Sequence, residues 1–389
     1  MPKAIFYGRN SFMKVGEVVS ERGKRALIIS DKIMDKLGYV NQCQEYLHES
    51  GISYSTFLDV NSEPTDNYVV KALELFSQTD CDVIVALGGG SCIDTAKAVA
   101  VLAKNEGDIS EYIGNKKVAK NGATPLIAIP TTAGTGSEAT DVTVITNTET
   151  DVKMMIKQPA FMPDVAIVDP LLTLSSPKNI TAATGVDALT HAIEAYISKR
   201  SHPLTDTFAL SAIKLIFDSI QRAYQNGEDI EAREMMSLGA LKAGIAFSNS
   251  SVCLVHGMSR PIGAIFHVPH GVSNAMLLPA VLEFSMDECY EKLAEIGRYL
   301  NPEMKGLAKK DIAINLVREV KRLCMNLNIP NMKEWGIDIQ AMNKVVKKMA
   351  KDSLASGSPA NNPKIPTEDE IEKLYQICYN YNMKEEIQI

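Results

Sequence analysis

An aspartate and three histidines in the second half of the chain have the types and spacings that suit one divalent transition metal. Asp187 and His191 lie four residues apart in a segment rich in helix-forming residues. If this segment is helical, both side chains leave the same face one turn apart and can bind a single ion. His256 and His270, each directly before a glycine, add two more imidazoles. Five of the six histidines fall between residues 191 and 270, which makes a metal-centred site the first hypothesis.

Each of these residues also has an ordinary structural interpretation. An isolated Asp–His pair four residues apart is commonly a surface pair or a helix-stabilising contact, and a histidine before glycine is often a turn or cap residue. The joint pattern favours the metal, because His256 and His270 flank an apolar segment that would bring both imidazoles into a buried region. Imidazole suits iron, zinc, copper and nickel, and a nitrogen–oxygen set without thiolates can leave a coordination position open for substrate.

The composition bounds the class of protein. At 389 residues with 46% hydrophobic content, the chain is long enough for two domains with sizeable cores. A formal net charge of -7 argues against nucleic-acid binding and against a basic membrane-binding patch. Seven scattered cysteines without CxxC spacing fit reduced thiols in a cytosolic protein. We also expect neither a signal peptide nor a bilayer-spanning segment.

The order of strand-like and helix-like segments predicts two domains. Short β-branched runs predict buried strands over residues 25–30, 54–60, 83–87, 126–129 and 165–168. Helical patterns lie between them, for example over residues 65–78 and 93–103, and this alternation predicts a parallel sheet covered on both faces. After the boundary, near residues 175–184, helical periodicity dominates, with loops expected near residues 201–203, Pro261, Pro269 and residues 356–359. We therefore predict an α/β domain over residues 1–180 and an all-α, metal-binding domain over residues 181–389.

Two glycine-rich segments of the first domain predict phosphate or nucleotide binding. Gly88, Gly89 and Gly90 follow a predicted strand and precede a predicted helix, whose N-terminal N–H groups could bind a phosphate. Ser91 and Asp94 also have residue types and a spacing that resemble a capping box. Residues 130–138 supply hydroxyls and small side chains after another strand, with a plain turn-rich loop as the alternative. The ordinary GxGxxG fingerprint is missing from both segments.

Four ordered motifs resemble those of the iron-dependent alcohol dehydrogenases: GGGSCIDTAKA (88–98), IPTTAGTGSEAT (129–140), ATGVDALTHAIEAY (183–196) and VHGMSRPIGAIFHVPHG (255–271). The similarity covers nearly the whole chain and is closest to the branch of lactaldehyde/propanediol oxidoreductases, 1,3-propanediol dehydrogenases and butanol dehydrogenases. It implies a Rossmann-like N-terminal domain, an all-α C-terminal domain of the dehydroquinate synthase-like fold, and an active site in the cleft between them. It also implies NAD and Fe2+ as cofactors, while Zn2+ is chemically compatible with the same ligands.

Matched residue by residue, the resemblance assigns roles to individual positions of this chain. The implied metal ligands agree with the cluster found from the residues alone: Asp187, His191, His256 and His270. The implied contacts with the cofactor pyrophosphate are Gly89, Gly90 and Ser91. The implied contacts with the rest of the nicotinamide nucleotide are Asp94, Thr131, Thr132 and Lys153.

Asp31 ends a predicted strand at the position where NAD-preferring members of the family carry an acidic residue beside the adenosine ribose. A carboxylate there accepts hydrogen bonds from the 2′-hydroxyl and repels a 2′-phosphate. Asp31 is equally well placed to be the N-cap of a helix that starts near Lys32. The two roles are compatible with each other.

These residues predict a metal-dependent, NAD(H)-linked oxidoreductase that interconverts a primary alcohol or diol and its aldehyde. Coordination to the metal would stabilise an alkoxide, or polarise a carbonyl in reverse, while hydride passes to or from the nicotinamide. We expect a small-molecule substrate, no nucleic-acid or membrane partner, and a cytoplasmic location. The resemblance suggests a homodimer or a stack of dimers. The non-enzyme alternative is an inactive nucleotide- and metal-binding protein, which the complete ligand set opposes.

One position departs from the family pattern. Many relatives carry a histidine four residues after the third ligand, whereas this chain has Arg260, which stays protonated and cannot shuttle protons near neutral pH. His267 is therefore a candidate catalytic residue. Arg260 either has a structural role or binds an anionic group, and the second interpretation favours a reductase for a carboxylate-bearing aldehyde such as a semialdehyde. His48 and His202 are assigned to the surface.

Overall fold

A computed structural model describes residues 1–150 and 152–385, and the chain divides into two compact units. The first unit contains Met1–Ser176 and Gly227–Gly244. The second contains Pro177–Asn226 and the residues from Ile245 onward. The predicted domain boundary between residues 180 and 181 stays a prediction.

The first unit is built on a parallel sheet of six strands in the order β1-β8-β5-β4-β2-β3. A separate antiparallel hairpin consists of β6 and β7. The strands are β1 (Ala4–Tyr7), β2 (Arg25–Ile29), β3 (Ser53–Phe57), β4 (Val83–Gly88), β5 (Leu126–Pro130), β6 (Val142–Asn147), β7 (Val152–Lys157) and β8 (Val165–Val168). All five strands expected from β-branched runs are present, and the predicted parallel sheet is confirmed.

Alternate residues of the central strands enter two different hydrophobic cores, so the sheet is covered on both faces. In β4, Ile84 and Ala86 belong to one core, while Val83, Val85 and Leu87 belong to the other. All six residues of β4 are buried, as a continuous apolar run in a parallel sheet predicts. The helices of this unit that follow its strands are α1 (Val15–Ser20), α2 (Lys32–Lys36), α3 (Tyr39–Glu49), α4 (Asp66–Gln78) and α5 (Gly90–Leu102).

The second unit is helical, and the described part of the chain has no strand after residue 168. Helix α8 is divided between the units: its residues up to Gly244 belong to the first unit, and those from Ile245 onward belong to the second. The helices are α6 (Lys178–Ile197), α7 (Pro203–Gln225), α8 (Ile230–Asn249), α9 (Leu254–Phe266), α10 (His270–Ser285), α11 (Tyr290–Leu300), α12 (Lys309–Asn326), α13 (Met332–Trp335), α14 (Ile339–Ala355) and α15 (Glu368–Tyr379). The predicted all-α character of this region is confirmed.

The loop predicted near Pro261 is wrong, because Pro261 lies inside α9. A proline in a helix interior removes one hydrogen bond and costs about 3 kcal/mol. The helix persists because residues 254–259 and 261–263 are buried, and in proteins such packing supplies most of a helix's stability. The loop near Pro269 is confirmed, since that residue separates α9 from α10.

In the described residues, no single helix is both long and apolar enough to cross a bilayer. The bent pair α8 and α9, with an angle of 103°, meets the length and composition criteria only when the two helices are taken together.

Candidate functional site

The first two candidate ligands are carried by one buried helix. Asp187 and His191 lie on α6, so the predicted helix and the shared face are confirmed. Their side chains are 2% and 5% exposed, and His191 Nδ1 lies 3.8 Å from Asp187 Oδ1. The His191 ring stacks on Phe247, with centroids 4.3 Å apart. An exposed surface pair, the ordinary interpretation of this spacing, does not describe these residues.

The other two candidates come from the starts of the next helices. His256 is the third residue of α9, and His270 is the first residue of α10. Gly271 permits a close approach to α6, since a Cβ added there would lie 2.9 Å from the carbonyl oxygen of Ala183. A larger residue would push the start of α10, and His270 with it, away from α6.

The four side chains converge on one point. Asp187 Oδ1 lies 3.6 Å from His256 Nε2 and 3.8 Å from His270 Nε2, and one donor atom from each of the four residues lies within 4.8 Å of all the others. Donors about 2.1 Å from an ion in a tetrahedral arrangement are about 3.4 Å apart, so the observed spacing fits one divalent ion. The buried Nδ1 of His191 has no hydrogen-bond partner in the described residues, which also fits a ligand atom.

Burial and neighbouring charges shift the protonation of three of the four candidate ligands. Burial lowers the pKa of His191 to about 3, so its ring is neutral and retains a free lone pair at neutral pH. Burial opposes ionisation of Asp187, but the surrounding histidines hold the pKa of this carboxyl below its ordinary value. Burial likewise opposes protonation of His256, but the Glu194 and Asp187 carboxylates raise its pKa. A carboxylate among imidazoles is a set of donors that attracts a divalent cation.

Two further polar residues of the cluster were not predicted. Glu194, on α6, lies 2.6 Å from His256 Nδ1 through its Oε2 atom. Asn274, on α10, donates from its amide nitrogen to Asp187 Oδ1 at 2.6 Å, and this nitrogen lies 3.1 Å from Nε2 of both His256 and His270. A sequence signal was present in both cases, since Glu194 follows Asp187 by seven residues and Asn274 follows His270 by four, which are same-face helical spacings.

Arg260 and His267 have different environments. Arg260 lies on α9 one turn after His256, and burial lowers its pKa to about 10, an effect that Glu194 partly offsets. It remains cationic at neutral pH. His267 is exposed at the C-terminal end of α9, with a left-handed φ of 54°, and is not among the four residues whose donor atoms converge. A catalytic role for His267 stays a prediction. His48 and His202 are exposed, as predicted.

The first glycine-rich segment forms the turn from β4 into α5. Gly88 has a φ of 155°, and Gly89 is the N-cap of α5. A Cβ added to Gly90 would lie 2.7 Å from Thr135 Cγ2, so only glycine fits without displacing that side chain. The predicted capping box of Ser91 and Asp94 is wrong, because the helix starts at Gly90. This backbone turn at a helix N-terminus is an arrangement that can bind a phosphate.

Asp94 and Lys97 instead connect α5 to the second glycine-rich segment. The Asp94 carboxylate accepts hydrogen bonds from Ser137 Oγ at 2.5 Å and from Val144 N at 2.9 Å. Lys97 is fully buried and donates to Ser137 Oγ at 2.7 Å and to Thr140 Oγ1 at 2.9 Å. Burial lowers the pKa of Lys97 to about 8. The role of Lys97 was not predicted, because it depends on partners some forty residues away.

The remaining predicted cofactor contacts lie in the same unit. Thr131 follows β5, and its buried Oγ1 atom has no hydrogen-bond partner in the described residues. The ammonium of Lys153, on β7, lies 3.1 Å from a carboxylate oxygen of Glu63. Asp31 is the N-cap of α2, accepting hydrogen bonds from Ile33 N and Met34 N at 2.7 and 2.9 Å. The predicted capping role of Asp31 is therefore confirmed, while its contact with a cofactor stays a prediction.

A parallel-sheet unit with a glycine-rich turn, together with a helical unit that carries one aspartate and three converging histidines, is the plan of a metal-dependent dehydrogenase. The chain belongs to the iron-containing alcohol dehydrogenase family: the model of that family matches residues 2–170, and the model described as its C-terminal part matches residues 181–379. The predicted family and fold class are confirmed. The chain is therefore an enzyme of the alcohol dehydrogenase class.

Individual relatives match along almost their whole length. The chain is 38% identical to a 1,3-propanediol dehydrogenase from Klebsiella pneumoniae, over 97% of this chain and 98% of the relative. It is 36% identical to an NAD-dependent methanol dehydrogenase from Bacillus methanolicus, over 96% and 97%. The structure of an alcohol dehydrogenase from Oenococcus oeni superposes with a TM-score of 0.93 at 35% identity, covering 97% of this chain and 99% of that chain.

Proposed function

We propose that this chain uses one divalent ion and NAD(H) to interconvert a primary alcohol or diol and its aldehyde. The observation that carries the proposal is the convergence of four donor atoms from Asp187, His191, His256 and His270 within 4.8 Å of one another. The similarity to propanediol and methanol dehydrogenases supports alcohols and diols as the substrate class.

The proposed ion is Fe2+, with Zn2+ chemically compatible with the same donors. When bound, it supplies Lewis acidity toward the alcohol or carbonyl oxygen. The three imidazoles and one carboxylate contribute a single formal negative charge, so the loaded site would keep a net positive charge for an oxygen of the substrate. Burial of Asp187, His191 and His256 excludes water from these donors and strengthens their interaction with charge.

The proposed cofactor contacts are the predicted ones, from the turn before α5 and the loop after β5. The backbone of Gly89, Gly90 and Ser91 would bind the pyrophosphate, since these residues lie at the N-terminus of α5, where backbone N–H groups lack partners within the helix. The buried Thr131 hydroxyl has no partner in the described part of the chain, which supports a hydrogen bond to the nucleotide. Thr132, Lys153 and Asp94 are the other proposed contacts with the nicotinamide nucleotide. The Asp31 carboxylate would select the 2′-hydroxyl of NAD(H).

A cytoplasmic location and a homodimer or larger homo-oligomer complete the proposal. All seven cysteines are buried and outside disulfide bonds, which supports a reducing compartment. Light scattering of the purified protein gives the oligomeric state, and a monodisperse monomer would contradict this part of the proposal.

A second candidate function is reduction of a carboxylate-bearing aldehyde. The observation that favours it is the partly buried, cationic Arg260 one turn after His256 on α9. A guanidinium can bind a carboxylate through two parallel hydrogen bonds, which a histidine at this position cannot do. The two candidates differ in substrate and share the ion and the cofactor.

The test combines metal analysis with substrate profiling. Elemental analysis of the purified protein is expected to find one divalent ion per chain, and a panel of short alcohols, diols and aldehydes followed by NADH absorbance is expected to identify a primary alcohol or aldehyde. His191→Ala should abolish turnover while the first unit stays folded. His48→Ala is the matched control, because His48 is exposed on α3. Full activity after exhaustive chelation, with metal absent, contradicts the proposal.

A further inference from the structure

The carboxylate of Glu194 lies behind His256, on the side of the ring away from the converging donor atoms. Its Oε2 atom lies 2.6 Å from His256 Nδ1, while Nε2 of the same ring lies 3.6 Å from Asp187 Oδ1. Glu194 is 1% exposed. A ring held from behind by a buried carboxylate can turn only one nitrogen toward an ion.

Backbone groups determine which way this hydrogen bond runs. Oε1 of Glu194 accepts from Val255 N at 2.6 Å, and Oε2 accepts from Cys253 N at 2.8 Å. A backbone N–H can only donate, so the Glu194 side chain must act as an acceptor at both oxygens. Two backbone donors favour the ionised carboxylate, which has no proton to donate, so Glu194 accepts from His256 Nδ1 as well and this ring carries a proton on Nδ1.

A second contact, at the opposite side of the ring, supports the same tautomer. The Asp187 carboxylate accepts a hydrogen bond from Asn274, which identifies the atom of that amide nearest to the cluster as its nitrogen, a donor. This nitrogen lies 3.1 Å from His256 Nε2. An N–H on His256 Nε2 would face this second donor, so the contact favours a lone pair on Nε2, and both neighbours of the ring favour a proton on Nδ1.

We propose that Glu194 is a positioning residue that holds His256 in the tautomer and orientation that present Nε2 to the ion. This inference rests on the proposed metal site. Ligating histidines commonly donate their second N–H to a carboxylate, and replacing that partner typically costs ten- to a hundredfold in metal affinity or activity. Glu194 shares the inward face of α6 with Asp187 and His191, so one helix supplies two donors and the support for a third.

Glu194 also stabilises the start of α9, and the test must separate the two roles. Cys253 is the N-cap of this helix and Val255 belongs to its first turn, where N–H groups lack partners within the helix. Loss of this capping would lower the stability of the protein with or without metal. Loss of positioning would reduce the stabilisation gained on adding metal, because that gain depends on the dissociation constant.

The experiment compares Glu194→Gln with the unmodified protein and with Glu283→Gln. Glu283 is the matched control, because its carboxylate lies in the same unit and accepts from Lys321 Nζ at 2.9 Å and from Tyr381 Oη at 2.5 Å. Metal-free proteins would be titrated with Zn2+ in competition with a chromogenic chelator. Glu194→Gln should bind Zn2+ ten- to a hundredfold more weakly and gain less in unfolding temperature on adding Zn2+, while Glu283→Gln should match the unmodified protein in both measurements.

Equal Zn2+ affinity in Glu194→Gln and the unmodified protein overturns the inference about Glu194, whereas failure of the unmodified protein to bind Zn2+ overturns the proposed metal site instead. If Glu194→Gln does not fold, the position of the ring proton of His256 in the unmodified protein tests the inference instead. In the Zn2+-loaded protein labelled with 15N-histidine, we expect a hydrogen-bonded proton on Nδ1 of His256, assigned by its loss in His256→Ala. A proton on Nε2 overturns the inference.

Discussion

The amide nitrogen of Asn274 donates a hydrogen bond to Oδ1 of Asp187 over 2.6 Å, and both side chains are buried. The Oδ1 atom of the amide is itself buried without a hydrogen-bond partner among the described residues. Asn274 therefore has its donor side turned toward the candidate ligands, although a buried amide normally satisfies its oxygen as well. A requirement to orient the Asp187 carboxylate explains this arrangement.

We predict that Asn274→Ala weakens Zn2+ binding by about ten- to a hundredfold, because Asp187 loses the donor that orients it. Asn362→Ala is the control: Asn362 is also a buried amide of the second unit, and it donates to Ser285 Oγ at 2.9 Å. Chelator competition measures both affinities. If the two variants lose affinity equally, the effect comes from general destabilisation and the orienting role is wrong.

The second prediction concerns the choice of cofactor. We expect a clear preference for NAD(H) over NADP(H), relaxed by Asp31→Gly, because the charge that opposes a 2′-phosphate is removed. The variant should fold, since replacing an Asp N-cap by glycine costs only about a few tenths of a kcal/mol. The measurement is kcat/KM with each cofactor.

Asp338→Gly is the matched control for Asp31→Gly. Asp338 caps α14 by accepting from Ala341 N at 2.8 Å, so its replacement removes a similar helix cap far along the chain. It should leave the ratio of the two kcat/KM values unchanged. Comparable efficiency with both cofactors in the unmodified protein would show that Asp31 has only its capping role.

Five of the six strands of the sheet and the ligand pair on α6 could be predicted from sequence because each depends on local periodicity. The buried run of β4 and the four-residue spacing of Asp187 and His191 are properties of one segment each. The hairpin of β6 and β7 was missed. Its strands alternate buried and partly exposed residues, and they contain polar Thr and Lys side chains that weaken a hydrophobic signal.

Helical spacing places Glu194 and Asn274 on the same helix faces as ligands, but the roles of the supporting residues could not be predicted because they come from tertiary contacts. Glu194 meets His256 across 62 positions of the sequence, and Lys97 meets Ser137 across 40. No local pattern specifies such partners. The error at Asp94 has the same origin, since a capping box was a reasonable local interpretation but the carboxylate contacts Ser137 and Val144 instead.

The third prediction concerns Arg260. If its guanidinium binds an anionic group of the substrate, aldehydes that bear a carboxylate should outperform neutral aldehydes of equal length. Such a charge-assisted contact contributes roughly 1.5–3 kcal/mol, or about ten- to a hundredfold in kcat/KM. Arg260→Ala should erase that advantage and spare neutral substrates. Arg318→Ala, at an exposed position of α12, is the control and should leave kcat/KM unchanged for both kinds of aldehyde.

Kinetics of Arg260→Ala on one neutral and one acidic aldehyde decide between the two roles of Arg260. A structural role predicts a lower unfolding temperature and equal losses on both substrates. We expect the structural result, because a buried charged side chain is costly unless groups of the protein itself pair with it. Arg260 also lies inside a helix whose first turn is held by Glu194. Selective loss on the acidic aldehyde would support the semialdehyde reductase instead.

The fourth prediction follows from Glu138, which is 3% exposed in the loop after β5. Burial raises its pKa from 4.5 to about 7, although the nearby Lys97 ammonium acts in the opposite direction. Because the pKa is higher in the folded state, the folded protein holds a proton between pH 4.5 and about 7 that the unfolded chain has lost. This contribution to stability is complete below the unfolded pKa and is lost as the pH rises through about 7.

Glu138→Gln replaces the carboxyl by a neutral amide of nearly the same shape and should remove this pH dependence. The free energy of unfolding of the unmodified protein, relative to that of the variant, should fall by up to roughly 3 kcal/mol between pH 5 and pH 8, from the size of the pKa shift. Urea denaturation across this range measures the difference, in which the other titrating groups cancel. Glu49→Gln, at an exposed position of α3, is the control. The difference in free energy of unfolding between this variant and the unmodified protein should not change with pH. A constant difference for Glu138→Gln as well would mean that Glu138 is already ionised in the folded protein at pH 5, with Lys97 as its counter-charge.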